Sequence, residues 1–239
     1  MRRVFILAST SPRRRELIQL FGLPFHFVSA DVDETPRDGE SPEILVRRLS
    51  RAKAERAVSV IASGVCEAIP NLARGDCFVA KTAPRNDIII AADTLGVLDD
   101  EILGKPRDAE DATRMLKALR ARPHIVYSGI TVTQGEESMT RVATTTVRMR
   151  EYSDAEIAAY VATGDPFDKA AAYAIQHNGF RPVARIDGCQ ANVMGLPLCD
   201  LYVVLREFGI ALAEPDRACQ HYLDIVCPVA REILSANYA

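Results

Sequence analysis

The sequence predicts an α/β fold built on a mixed β-sheet with helices packed against it. Two observations carry this. Apolar, β-branched runs such as "DIIIAAD" (87–93) alternate along the chain with amphipathic segments that open on helix caps. The stretch "HIVYSGITVTQGEESMTRVATTTVRMR" (124–150) alternates around a glycine-containing turn. That is a long antiparallel hairpin, so the sheet cannot be purely parallel. A length of 239 residues allows one large domain or two modest lobes with a full core.

The elements follow in order. "RVFILAS" (3–9) reads as a buried strand feeding directly into the helix of "TSPRRRELIQLFG" (10–22), with Ser11 at the N-cap and Pro12 at the first helical position. "PFHFVSAD" is a second strand, and "DVDETPRDGE" an acidic loop. A long helix starts at Ser41 and Pro42 and runs to about Ile61. Residues 63–86 lose periodicity and gather Gly, Pro and Asn, as an inserted surface loop does. "DIIIAAD" is a central strand closed by Asp93, and "LGVLDDEILG" a hairpin turning at Asp99 and Asp100. Asp108 caps the next helix, with Glu110 and Asp111 in its first turn and Ala112, Met115, Leu116 and Leu119 on one face. After the long hairpin, Ser153 and Glu156 form a capping box. A polar loop (163–181), a short strand "VARIDG" and a helix "PLCDLYVVLREFG" follow. From Ile210 the chain is a helical tail, with Leu223, Val226, Ala230 and Ile233 at helical spacing. That stripe suits packing on its own domain or on a neighbour equally.

Several function classes are excluded at this level. The formal net charge of −3 gives no general attraction to nucleic acid, so an anion site has to be local. The six cysteines form no CxxC pair and the four histidines are scattered, so zinc has no support. The short apolar run behind the basic start does not read as a signal peptide, and no stretch is long enough to span a membrane. Free thiols and a cytoplasmic location are expected.

The candidate chemistry begins with a misplaced charge. A helix N-terminus favours acids, yet Arg13, Arg14 and Arg15 fill the first turn after Pro12, with Arg14 where a capping box places Glu or Gln. The helices at 109 and 154 obey the rule, so this chain can write an ordinary start. A bound polyanion would reverse the penalty; three solvated arginines are the plainer account. Asp93, closing an apolar strand, is placed to hold Mg²⁺ or orient water, or simply to cap the next turn. Lys53 falls about 80° round the long helix from Leu45, inside the apolar stripe that Arg56 shares; it either snorkels along the helix flank, the commoner fate of a lysine, or faces inward to an anion. Lys105 follows the hairpin beside Pro106, and Glu34 belongs to the acidic loop. In "GDPFDKAAAYAIQ", small residues lead from Lys169 to Tyr173 and Gln176, whose amide can read a nucleobase edge. Several cations and at least two acids, with no Walker A or GxGxxG loop, suit metal-assisted chemistry on a phosphate chain.

The order of motifs "LASTSPRRRELI", "VDETP", "RLSRAKA", "AADTLGVLDDEILGKPRDAEDATRML", "DKAAAYAIQ" and "VMGLPL" resembles the Maf family, the septum-formation-inhibitor-like nucleoside triphosphate pyrophosphatases. The resemblance runs from about Arg3 to Gly209. It implies residues 1–209 as one catalytic domain, two-lobed and related in architecture to inosine-triphosphate pyrophosphatases, with the site in the cleft. Residues 210–239 are then an extra tail. It implies hydrolysis of a nucleoside triphosphate to monophosphate and pyrophosphate with Mg²⁺ or Mn²⁺. Carried over residue by residue, Ser9, Arg13 and Arg14 match the first motif, with Arg13 on the phosphates. Lys53 and Lys105 match phosphate-binding lysines, Asp93 the proton acceptor, and Glu34 a carboxylate sharing the metal. Arg13, Thr94 and Gln176 match positions tied to base preference, in a combination resembling the dTTP/UTP branch rather than the 7-methyl-GTP branch. The family often forms homodimers. Ala171 and Ala174 stand where the family usually has glycine.

The rival readings are a division-regulating binding protein without turnover and a pyrophosphatase for another base, such as 7-methyl-GTP.

Overall fold

The computed structural model describes residues 3–63 and 86–236, so the expected insertion lies almost wholly outside the described residues. Seven strands form one mixed sheet: β1 (Phe5–Ala8), β2 (Phe25–Val28), β3 (Ile88–Leu98), β4 (Glu101–Leu103), β5 (Pro123–Gln134), β6 (Glu137–Met149) and β7 (Val183–Asp187). Their order is β2-β1-β3-β5-β6-β7, with β4 paired to β3. The β1 pairings to β2 and β3 are parallel and the rest antiparallel, as the hairpins require. Asp99 and Asp100 turn the β3–β4 hairpin with φ of 47° and 67°, a left-handed pair that short Asp side chains tolerate.

The helices are α1 (Pro12–Gln19), α2 (Pro42–Ala62), α3 (Ala109–Leu119), α4 (Asp154–Ala162), α5 (Gln190–Val193), α6 (Leu198–Glu207), α7 (Asp216–Leu223) and α8 (Ala230–Ser235). The expected caps form: Asp108 accepts from Asp111 N at 2.8 Å, and Ser153 and Glu156 cap each other reciprocally. The short helix α5 was not anticipated.

Alternate residues of the long strands serve different layers. Ile89 and Ala91 face Ala54 and Ala57 of α2, whereas Ile88, Ile90 and Ala92 join Leu17 and Ile18 of α1 and the apolar face of α6. Further along the same strands, Leu98, Val126 and Val147 form a second core with Met115, Leu116 and Tyr152. These two cores lie at opposite ends of β3 and β5.

Helix α2 lies very close to the sheet. A Cβ on Gly129 of β5 would stand 2.3 Å from the Val46 carbonyl oxygen, so only glycine fits there. Ser50 Oγ bonds Thr131 Oγ1 at 2.8 Å beside it, locking the helix laterally. Gly129→Ala is expected to lower stability by about 3 kcal/mol, roughly 6–10 °C in Tm for a chain of this size, by thermal denaturation. An unchanged Tm would mean that α2 sits further from β5.

Two expectations need correction. The buried residues of α2 are Leu45, Val46, Leu49, Ser50, Ala54 and Ala57, which centres the stripe near Lys53 and leaves Arg56 exposed. The small residues that bring helix to sheet, and not the bulky ones, set that centre. In the tail, Asp224 adopts φ 51° and ends α7, so Val226 falls off the projected stripe and is 89% exposed. The tail packs on its own domain: Ala230 and Leu234 cover Cys199, and Arg206 Nη2 donates to the Ala236 carbonyl at 2.9 Å. Cys189, Cys199, Cys219 and Cys227 are unpaired; burial pushes the Cys219 thiol up to about 11. No helix among the described residues is long and apolar enough to cross a membrane.

Candidate active site

Asp93 does not end its strand. β3 continues to Leu98, but its parallel partner β1 stops at Ala8, opposite Ala91, and the pairing with β4 begins only at Gly96, opposite Leu103. Between those points one edge of β3 carries no strand. A cavity of about 880 Å³ lies against this gap, within the usual range of about 300–1,000 Å³ for small-molecule clefts. Asp93 thus sits just beyond the carboxyl end of the parallel ladder, where ligands of α/β sheets gather, for a reason the apolar run alone does not reveal.

On the Asp93 side of the cavity, α2 delivers Lys53. Its ammonium donates to Asp93 Oδ1, and to Glu34 Oε1 at 2.6 Å. Both Lys53 and Asp93 are largely buried, with side-chain exposures of 12% and 8%. Burial works to raise the Glu34 carboxyl, but the Lys53 hydrogen bond and the charges of Lys53, Lys105 and Arg14 outweigh it and hold it below its ordinary value. Glu34 therefore stays ionised through neutral pH, and its bond to Lys53 is lost only as pH falls through that lowered value. Lys105, exposed at the rim, makes no ion pair among the described residues.

The arginine helix separates three residues that look alike in sequence. Ser11 holds the N-cap backbone geometry but its side chain makes no capping bond. Its own N–H is taken by Ser9 Oγ at 3.1 Å, so Ser9, buried at the lip of the cavity, shapes the turn. Arg13 reaches across to Asp168 Oδ2 at 3.1 Å. Arg14 is half-buried, and loss of hydration lowers its pKa; it donates to the Gly195 carbonyl at 2.8 Å and to Thr94 Oγ1 at 3.0 Å. Gly195 has φ +105°, and a Cβ there would press on Arg14 Nε at 3.2 Å. Arg15 faces away from the cavity, donating to the Ser9 carbonyl and lying over the Phe27 ring at 4.9 Å. The plain account of three solvated arginines holds for none of them.

The segment after α4 closes the opposite wall. Lys169, only 7% exposed, bonds Asp165 Oδ1 at 2.9 Å and Asp168 Oδ1 at 2.6 Å, so Asp168 joins Lys169 to Arg13. Lys169 and Asp168 are site neighbours to which the motif reading gave no role; the signal was a lysine just after two acids, Asp165 and Asp168, and ahead of a run of small residues. Tyr173 lines the cavity and bonds buried His124 at 2.8 Å, while Gln176 is exposed at its edge. Burial alone lowers the His124 pKa to about 4, so the ring is neutral.

Of the two alanines at family glycine positions, Ala171 has φ 60° and Ala174 an ordinary negative φ. A left-handed alanine costs about 1–2 kcal/mol. Lower backbone entropy loss than glycine returns about 0.5–1 kcal/mol, and the buried methyl about 0.8 kcal/mol. The substitution is close to neutral. The Ala171 N–H still reaches the Gly104 carbonyl at 3.0 Å, next to Lys105.

A family model described as "Maf-like protein" matches residues 4–208. The chain belongs to the Maf family. Among curated Maf relatives, the dTTP/UTP pyrophosphatase of Dictyoglomus turgidum is 42% identical over 214 residues, covering 89% of this chain and 100% of the relative. The dTTP/UTP pyrophosphatase of Methylococcus capsulatus is 41% identical, over 87% of this chain and 92% of the relative. That of Geotalea uraniireducens is 44% identical, over 85% and 94%. The Maf-like match ends at 208, where the tail begins.

Proposed function

We propose that this chain hydrolyses dTTP and UTP at the α–β phosphate bond, releasing the monophosphate and pyrophosphate. One observation carries the reading: cations from two helices and a loop, Arg13, Lys53 and Lys105, line a single cavity with the carboxylates of Asp93 and Glu34. The relatives' shared activity supports it.

In this reading the triphosphate lies along Arg13, Lys53 and Lys105, near the first turn of α1, whose N–H groups Ser11 leaves uncapped. Asp93, oriented by Lys53, takes a proton from the water that attacks the α-phosphorus. The bond from that phosphorus to the bridging oxygen breaks, and the lysines neutralise the departing pyrophosphate. No three His, Cys, Asp or Glu side chains gather as a metal cage among the described residues. Two carboxylates fit a hard cation shared with phosphate oxygens, the usual manner of holding Mg²⁺. Glu34 and Asp93 would hold Mg²⁺ or Mn²⁺, which supplies charge neutralisation and polarises the phosphate.

The test is hydrolysis of UTP and dTTP in ¹⁸O-labelled water with Mg²⁺ or Mn²⁺. Expected are pyrophosphate and a monophosphate carrying the label; orthophosphate with a diphosphate, or no turnover, refutes the reading. A panel including CTP, GTP and 7-methyl-GTP reads the base preference. Lys105→Ala, which removes an exposed rim charge, is expected to lower kcat/KM by about tenfold.

A further inference from the structure

The partners of the Thr94 side chain fix the polarity of its hydrogen bonds. Arg14 can only donate, so Thr94 Oγ1 accepts from Arg14 Nη2 at 3.0 Å. Thr94 pairs across the β3–β5 ladder with Ser128, and their hydroxyl oxygens are 2.7 Å apart. Ser128 Oγ also lies 3.2 Å from the Asn192 carbonyl oxygen, which can only accept. Ser128 is 0% exposed, so no water relieves a wrong arrangement. Each hydroxyl has a single proton, and only one assignment gives all three contacts a hydrogen. Arg14 donates to Thr94, Thr94 to Ser128, and Ser128 to the Asn192 carbonyl. Asn192 is itself held, its amide donating to the Val126 carbonyl at 3.1 Å and to Thr145 Oγ1 at 2.9 Å.

The consequence lies at the cavity wall. The Thr94 proton is committed inward, so towards a ligand this hydroxyl has only a lone pair to offer. Strand alternation puts it on the opposite face of β3 from Asp93. There the wall is apolar, with Val126, Val193 and Met194, which suits a flat base, while the Lys53 side suits phosphate.

We infer that Ser128 and Asn192 are positioning residues for base selection: through Thr94 they make the site demand a base that presents a ring N–H. Uracil and thymine carry that donor at N3, flanked by carbonyl oxygens. Cytosine has an acceptor at N3, and two lone pairs would then face each other. Arg14, a donor beside an acceptor, repeats the pattern in reverse of the carbonyl and N–H of such a base. Nothing in the local sequence around Ser128 signals this role, because its partners lie 34 and 64 residues away. The inference rests on the pyrophosphatase reading and deepens it.

The experiment compares UTP, CTP and N3-methyl-UTP on the full chain, by kcat/KM and by equilibrium binding. Wild type is expected to favour UTP over both others by about a hundredfold or more. In Ser128→Ala the Thr94 proton is released towards the cavity, and the UTP/CTP ratio is expected to fall at least about tenfold, an effect that general loosening would not single out. If Ser128→Ala does not fold, Thr94→Val serves instead and is expected to bring the ratio towards one. A wild type that handles N3-methyl-UTP like UTP overturns the inference. So does an unchanged UTP/CTP ratio in either folded variant. UTP that binds selectively but is not hydrolysed overturns the pyrophosphatase reading and leaves this inference standing.

Discussion

Asp93→Asn is expected to lower kcat by about a thousandfold or more while nucleotide binding stays measurable by calorimetry. The change is isosteric, so the fold and the cavity wall are retained. What disappears is the buried carboxylate at the point where β3 is uncovered, and with it the proposed acceptor for the water proton. An amide cannot take that proton. Lys53 also loses the partner that holds it over the cavity, so some weakening of phosphate binding accompanies the loss. Binding should fall far less than turnover, which is the mark of an interaction used in the transition state. Equal losses in kcat and affinity, or unchanged turnover, would remove Asp93 from the chemistry.

Lys53→Met is expected to be nearly as severe, for a different reason. The ammonium makes two charge-assisted bonds at once, to Asp93 and Glu34, and methionine keeps the stem that packs along α2 while removing the head. Two carboxylates are then left facing each other without their shared cation. The expected loss is about 3 kcal/mol, roughly a hundredfold in kcat/KM. The pH profile carries a second signature. Burial works to raise the Glu34 carboxyl, and in the wild type the Lys53 bond is the main force against it. Without Lys53 the carboxyl rises, so the acid limb of the rate profile moves to higher pH. An acid limb that stays in place would mean that Glu34 does not gate activity.

The arginine helix shows how far local reading reaches. An inverted charge in its first turn was visible in the sequence, and so was the resulting expectation of an anion. Which arginine does what was not visible. Arg13 points to Asp168, Arg14 to Gly195 and Thr94, and Arg15 to the Phe27 ring, because each leaves the helix at a different angle towards a different neighbour. Helical angle alone placed Lys53 within the apolar stripe and left snorkelling and an inward orientation both open; its bond to Asp93 decides for the inward one. Arg56 was misjudged by the same method, since the angle of the buried stripe depends on how closely the sheet approaches, and Gly129 decides that from 73 residues away in number and one layer away in space.

By itself the sequence determined the order and type of the elements apart from the short α5, the caps that start three of the helices, and a set of charges suited to a phosphate chain. Those properties depend on neighbours a few residues apart, through helical and strand periodicity and the hydrogen bonds of single turns. Only the tertiary structure decided that β1 stops short of Asp93, that Lys53 bridges two carboxylates, and that Thr94 has a lone pair and no proton for its ligand. These are relations between groups brought together by packing, and the direction of a hydrogen bond exists only once both partners are in place.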